Sequence, residues 1–196
     1  MCHGGHRRTR PSSVPTRLFI EHGFDQTTVA DVAAAAGVSV KTVFNYFPAK
    51  EDLFFDRAKE LEQIWLDAVA DRQPGEPLLA GLRRRELSRF ADHPLGPGAR
   101  FRKVLASSIR LQAREQQMWS GHEDVIAQAL AERLGAGRED PTARVLAHQV
   151  MGIRPMALRM AEMWTQQGVA PDEVRERALR LINRAFDILE RGLSRP

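Results

Sequence analysis

Apolar positions along this chain recur three and four residues apart, and no stretch alternates as a half-buried strand would. The spacing predicts about nine helices and an all-α fold. The first is short, Pro15 to His22, bounded by Pro15 and Gly23. Next come two brief segments. Val29, Val32 and Ala33 give the first one apolar side, with Thr28 as its cap, Asp31 in its first turn and Gly37 as its stop. The run Ala33 to Ala36 is small enough for a second helix to lie close, and Val38 is expected to plug the core beneath the turn. Ser39 caps Val40 to Phe47, which Pro48 ends.

Longer helices follow. The pattern predicts Lys50 to Asp71, Glu76 to Asp92, Ala99 to Met118 and Ser120 to Leu134. Asp140-Pro141 opens the next one, a capping Asp with Pro at the first helical position. It carries Leu146, Val150, Ile153, Ala157, Met160 and Trp164, and Pro155 predicts a kink near Gly152. The last helix runs from Pro171 to about Arg191. Val174, Ala178, Leu181, Ala185 and Ile188 form its stripe, widened by Ile182, Phe186 and Leu189.

The pair at Val29 to Phe47 is the part that points to a function. In the second member Val43 and Phe47 point inward, with Phe44 at the margin. Lys41, Thr42, Asn45 and Tyr46 point outward. A helix, a glycine turn and a second helix with a polar, basic and aromatic face make a helix-turn-helix, whose second helix fits the B-DNA major groove.

The stretch Gly23-Phe24, Thr27-Thr28-Val29, Ala33, Gly37-Val38-Ser39 and Thr42-Val43-Phe44-Asn45-Tyr46-Phe47, followed by Lys50-Glu51, closely resembles the DNA-binding domain of the TetR family of bacterial repressors. The likeness is dense over roughly thirty residues. It implies a DNA-binding domain at 16–49, after a disordered basic arm at 1–15, and an effector-binding and dimerisation domain at 50–196. It implies that Lys41, Thr42, Asn45 and Tyr46 face the major groove, with Val40 meeting a thymine methyl. Thr28, Ser39, Tyr46 and Lys50 would hold phosphates. The partners implied are a palindromic double-stranded operator, a small-molecule effector, and a second copy of the chain through the last two helices. Two positions depart from the family pattern. Pro11 and Pro15 shorten the first helix, and Ala49 stands where a capping Ser or Asn is common.

Composition sharpens this reading only slightly. The net charge is +4 over 196 residues, which suits a polyanionic partner. Arg outnumbers Lys 25 to 4, read mainly as codon bias. One cysteine fits a reducing compartment, and neither a membrane span nor a secretory h-region is visible, so a cytoplasmic location is expected. Arg7, Arg8 and Arg10 could touch phosphates beside the main site. Cys2, His3 and His6 lack a second cluster to complete a metal site.

No HExxH, CxxC, GxSxG, Walker A or Rossmann fingerprint is present, so neither an enzyme nor a cofactor is expected. Arg83-Arg84-Arg85 reads as a solvated face. An apolar effector site is expected from Phe101, Leu105, Met118, Trp119, His122, Ile126, His148, Met151, Met156, Met160, Met163 and Trp164, with His122, His148 or Arg154 orienting a polar or anionic group. Plain core packing is the competing reading of that stripe. Two other functions stay open: a small-molecule-binding dimer with a weakened DNA head, and an enzyme on a helical scaffold.

Overall fold

A computed structural model of the chain describes residues 14–92 and 99–193. Residues 1–13 of the basic arm, with the Cys2–His3–His6 group, and the His93 to Gly98 loop lie outside those residues; Val14 and Pro15, expected to end the disordered arm, begin a helix instead. Among the described residues there are ten α-helices and no strand. They are α1 (Val14–His22), α2 (Val29–Ala36), α3 (Val40–Tyr46), α4 (Lys50–Phe54), α5 (Ala58–Ala70), α6 (Ala80–Asp92), α7 (Ala99–Ser107), α8 (Ile109–Leu134), α9 (Pro141–Gln166) and α10 (Pro171–Leu193).

The helix boundaries differ from expectation at three places, each for a physical reason. The helix expected over Lys50 to Asp71 breaks at 55–57. Phe54 is buried and Phe55 packs partly buried against the same core, their rings edge-on with centroids 5.1 Å apart. Phe55 ends α4 as its C-cap, its backbone out of the helical region and its N–H closing on the Glu51 carbonyl. The break expected near Trp119 falls instead at Ser108. There the Ser107 hydroxyl donates to the Val104 carbonyl (2.8 Å) and the Gln112 amide donates to the Ala106 carbonyl (2.9 Å), satisfying the end of α7 with side chains. The helix expected from Glu76 starts at Ala80, because the turn through Gly75 and Pro77 closes first (Ala80 N–H to Pro77 C=O, 3.1 Å). α9 runs unbroken as a helix through Pro155, which is exposed.

The chain forms two compact units, and they do not follow a single cut. The first joins residues up to 56 with 99–115; the second joins 57–98 with 116–196. The first unit holds α1 to α4, α7 and the opening turns of α8. Its core is aromatic. Phe19, Phe24 and Phe54 are each at most 2% exposed, and Phe101 of α7 stacks on Phe54 with centroids 4.3 Å apart. Val32, Ala33, Val43 and Leu53 complete it from α2 to α4, and Val104 and Leu111 from the later segment. Val38 does not plug this core; it is 43% exposed, and only its N–H turns in, to the Ala33 carbonyl. Ala34 to Ala36 are exposed as well.

The second unit closes mainly on aliphatic side chains and alanine. Val174, Ala178, Ile182 and Phe186 are the buried stripe of α10, one turn apart, against Ala143, Leu146, Ala147, Val150, Ile153, Ala157 and Ala161 of α9. Ile188 ends up 58% exposed, so the stripe turns one step away from the edge expected to carry it. α6 approaches α5 closely at Gly81, where an added Cβ would sit 2.1 Å from the Ala68 carbonyl oxygen. The arginine run of α6 is a solvated face only in part: Arg84 is exposed, while Arg83 and Arg85 are half-buried. Arg83 donates to Asp187 (2.8 Å) and Glu190 (2.7 Å) of α10, and Arg84 to Asp71 and Glu76. Long side chains reach acidic partners that sequence spacing does not reveal.

Candidate nucleic-acid interface

Local capping sets the geometry of α2 and α3. Thr28 Oγ1 accepts from Asp31 N–H (3.1 Å), while the Asp31 carboxylate accepts from the Thr28 N–H and hydroxyl (both 2.7 Å). Those bonds hold the Asp31 carboxyl below its ordinary range, the backbone bond most of all. Gly37 takes φ +67°, a left-handed turn suited to glycine, and its N–H closes on Ala34. Ser39 then caps α3 by accepting from Thr42 N–H (3.0 Å), and the two hydroxyls bond each other at 2.8 Å.

This fixes which side of α3 faces out. Val43 is the buried anchor and Phe47 is half-buried. Lys41, Asn45 and Tyr46 are exposed, Tyr46 most at 76%, with Val40 at 39% beside them. Phe44 joins this face at 47% exposed. It is a residue the sequence left at the margin, though a 100° step from Val43 already turns it outward. Thr42 is only partly exposed, and the Thr28 hydroxyl is engaged by the Asp31 carboxylate. Lys50 lies at the start of α4 with Nζ 4.3 Å from the centre of the Phe24 ring.

The capping defect at Ala49 is real and partly offset. Ala49 makes no side-chain cap, but Asp52 reaches back to accept its N–H at 3.0 Å. The other Asp52 oxygen accepts from Arg114 Nε of α8 at 2.7 Å, so α4 is tied to α8 by a side chain 62 positions away.

The residues expected to form an effector site are scattered. Phe101 and Leu105 pack with the aromatic core of the first unit. Ile126 is plain core of the second, with Met151 and Trp164 packed against it. Met118 is buried, Trp119, Met156 and Met160 are half-buried, and Met163 is 38% exposed. His148 points outward, its side chain 70% exposed and 3.0 Å from Glu123. His122 is buried at 4% exposure, edge-on to Trp119. Burial depresses its basicity, opposed by Glu62 and a hydrogen bond with the Ala58 backbone. Arg154 is 7% exposed over the Phe90 ring (5.9 Å), with its pKa lowered to about 10 by burial first and Arg89 next. Beside it lies a group that sequence reasoning missed: Glu86, fully buried, on the same α6 stripe as Leu82 and Phe90. The signal was a carboxylate at the i+4 position of an apolar row.

Among the described residues no cluster of His, Cys, Asp or Glu could hold a metal ion, and no helix is long and apolar enough to cross a membrane. Two open grooves lie in the second unit. One, of about 500 Å³, is lined by Gly75, Pro77, Leu78, Leu134, Asp187 and Glu190; the other, of about 350 Å³, runs between α5 and α6.

Residues 16–56 match the family model for bacterial regulatory proteins of the tetR family, and residues 76–194 match the model for the MftR C-terminal domain. A Mycobacterium tuberculosis protein assigned as the mycofactocin biosynthesis transcriptional regulator MftR is 30% identical over 98% of this chain and 95% of its own length. The Streptomyces glaucescens regulator TcmR is 33% identical over 45% of this chain and 42% of its own. Among solved structures, a TetR-family regulator of Mesorhizobium loti aligns with a TM-score of 0.56 at 16% identity, over 89% of this chain and 92% of its own. FadR of Bacillus subtilis, solved with stearoyl-CoA, aligns with 0.51 at 18%, over 91% and 95%. With one family model covering the helix-turn-helix and another most of the remainder, and with the fold shared by those structures, this chain belongs to the TetR family and is a DNA-binding transcriptional regulator.

Proposed function

We propose that the protein is a repressor that binds a palindromic operator as a homodimer and leaves it when a small molecule binds the second unit. The outward face of α3 carries this reading. Lys41, Asn45 and Tyr46 stand exposed on a helix whose opposite side is anchored by Val43. Lys41, Thr42 and Asn45 would read base edges, Val40 and Phe44 would meet thymine methyls, and Ser39, Tyr46 and Lys50 would hold phosphates. Thr28 contributes here as a helix cap, since its hydroxyl and N–H are both engaged by Asp31.

The dimer would use the faces of α9 and α10 left after the monomer core is closed. Ile188 at 58% exposed, with half-buried Leu181 and Ala185 along the same edge, supports this. Two copies would set two recognition helices one DNA turn apart, which is what a palindromic site requires. An effector would act only by binding the DNA-incompetent arrangement more tightly. His122, Met118 and Trp119 on α8 and Arg154 on α9 are the best-placed side chains for it.

The test is titration of the purified protein against the DNA flanking its own gene and against scrambled DNA, at low and physiological salt. Selective binding that weakens with salt is the expected result. Equal and weak binding to both DNAs would overturn the repressor reading.

A further inference from the structure

The first turn of α4 is held by a side chain that the helix-turn-helix stretch does not contain. α4 has only five residues, and a helix that short does not keep its shape in water unaided. Its start is weak as well, because Ala49 has no side-chain oxygen with which to cap it. Asp52 makes up for this from inside the turn. One of its carboxylate oxygens accepts from the Ala49 N–H (3.0 Å), and the other accepts from Arg114 Nε (2.7 Å). The Asp52 N–H in turn donates to the Ala49 carbonyl (3.1 Å).

Arg114 lies well beyond the 16–56 stretch that matches the DNA-binding family model. It comes from the opening turns of α8, three residues after Leu111, which is fully buried in the same aromatic core as Leu53 and Phe54. That core fixes the backbone at both ends of the Asp52–Arg114 bond. The Asp52 side chain is 17% exposed and that of Arg114 37%, so the bond is partly shielded from water. Lys50 is the first residue of α4, between Ala49 and Asp52 in the turn that this bond holds. Its ammonium lies 4.3 Å from the centre of the Phe24 ring, a contact without the directionality of a hydrogen bond. Where Lys50 points therefore depends on the backbone that carries it.

We infer that Arg114 is a positioning residue for DNA binding: through Asp52 it fixes the start of α4 and so presents Lys50 to a phosphate. This rests on the phosphate role proposed above for Lys50 and assigns the residue that supports it. A pair that only holds the core together would change stability alone. A positioning pair also changes the salt dependence of DNA binding, without itself touching DNA.

Phosphate contacts carry no sequence information. The experiment therefore measures the affinity of the full chain, across a salt series, for two labelled duplexes: the DNA flanking its own gene and a scrambled duplex of the same composition. K50A should lower the slope of log affinity against log salt by about one. R114Q should lower it by about as much on both duplexes, with the helical spectrum retained, and K50A/R114Q should be no lower than K50A. D52A carries the same test from the other partner, should R114Q not fold. A49S supplies a cap that needs neither partner, so A49S/R114Q should return the slope to the wild-type value. That rescue separates positioning from a direct phosphate contact by Arg114, whose charge A49S does not replace. A wild-type slope in R114Q beside a lowered one in K50A overturns the inference, as does an additive double variant or a loss that A49S leaves in place. A wild-type slope in K50A overturns it together with the phosphate role of Lys50. Equal binding to both duplexes would sink the repressor reading and leave this result standing.

Discussion

The two compact units solve the burial problem with different chemistry. In the first, short helices close on rings: Phe19, Phe24, Phe54, Phe55 and Phe101 lie within 4.3 to 6.4 Å of one another in successive pairs. Its buried polar side chains, Thr27 and Ser108, are neutral, and Thr27 donates to the Gly23 carbonyl. In the second, long helices close on alanine and aliphatic side chains, and Glu86, His122 and Arg154 are buried among them. Rings give small helices the most buried area per residue. Buried charge adds nothing of that kind and costs desolvation. The contrast separates a unit whose buried polar groups are neutral from one that keeps ionisable side chains inside.

The largest test of the contrast is removal of a ring. Phe54→Ala takes out the phenylalanine that contacts four others, and should destabilise the first unit by about 3–5 kcal/mol. Hydrogen exchange of α1 to α3 amides should accelerate accordingly; unchanged protection would mean the ring cluster is not what holds the head. The matching test of the second unit is Gly81→Ala. Its new Cβ meets the Ala68 carbonyl, and backbone must shift, so a loss of about 3 kcal/mol is expected in chemical denaturation.

Changes on the presented face should leave both cores alone. Tyr46→Ala should weaken operator binding about tenfold, roughly 1.4 kcal/mol, with the oligomeric state unchanged by sedimentation. Lys50→Ala should lower the salt slope of binding by about one. Wild-type affinity in both would mean that α3 is not the reading helix.

Glu86 gives a pH test of smaller size. Burial raises its carboxyl above the ordinary 4.5, against the opposing pull of Arg89, Arg154 and Arg85. In the unfolded chain it ionises near 4.5, so the folded state is penalised as pH climbs from there through the raised value. E86Q should therefore raise the unfolding midpoint most at pH 7 to 8, with the gain shrinking as pH falls toward 4.5. A gain that grows on acidification would place Glu86 in a favourable ion pair instead. The smallest effect should come from Ala49→Ser, which supplies the missing cap of α4 and should stabilise the first unit by about 0.5–1 kcal/mol, read by denaturant midpoint.

The helix-turn-helix was legible because its determinants are local. Thr28 with Asp31, Gly37, Ser39 with Thr42, and the inward step at Val43 all act within four residues, and the structure carries each of them. Where distant partners decide, the reading from sequence shifted. The helix opening at Lys50 stopped at Phe54, where Phe54 and Phe55 pack into the aromatic core, though its own pattern would have continued. Phe101 packed into the aromatic core of the first unit, and His148 turned to Glu123 at the surface.

The sequence alone determined the fold class, the family and the exposed side of α3, since periodicity, caps and turns act over one or two helical turns. Only the tertiary structure decided that residues 99–115 complete the first core, that Arg83 and Arg84 are paired, and that Glu86 is buried beside arginines from two helices. A charge on an apolar stripe reads the same in sequence whether it reaches water or not; the packing of α9 against α6 is what closes it off.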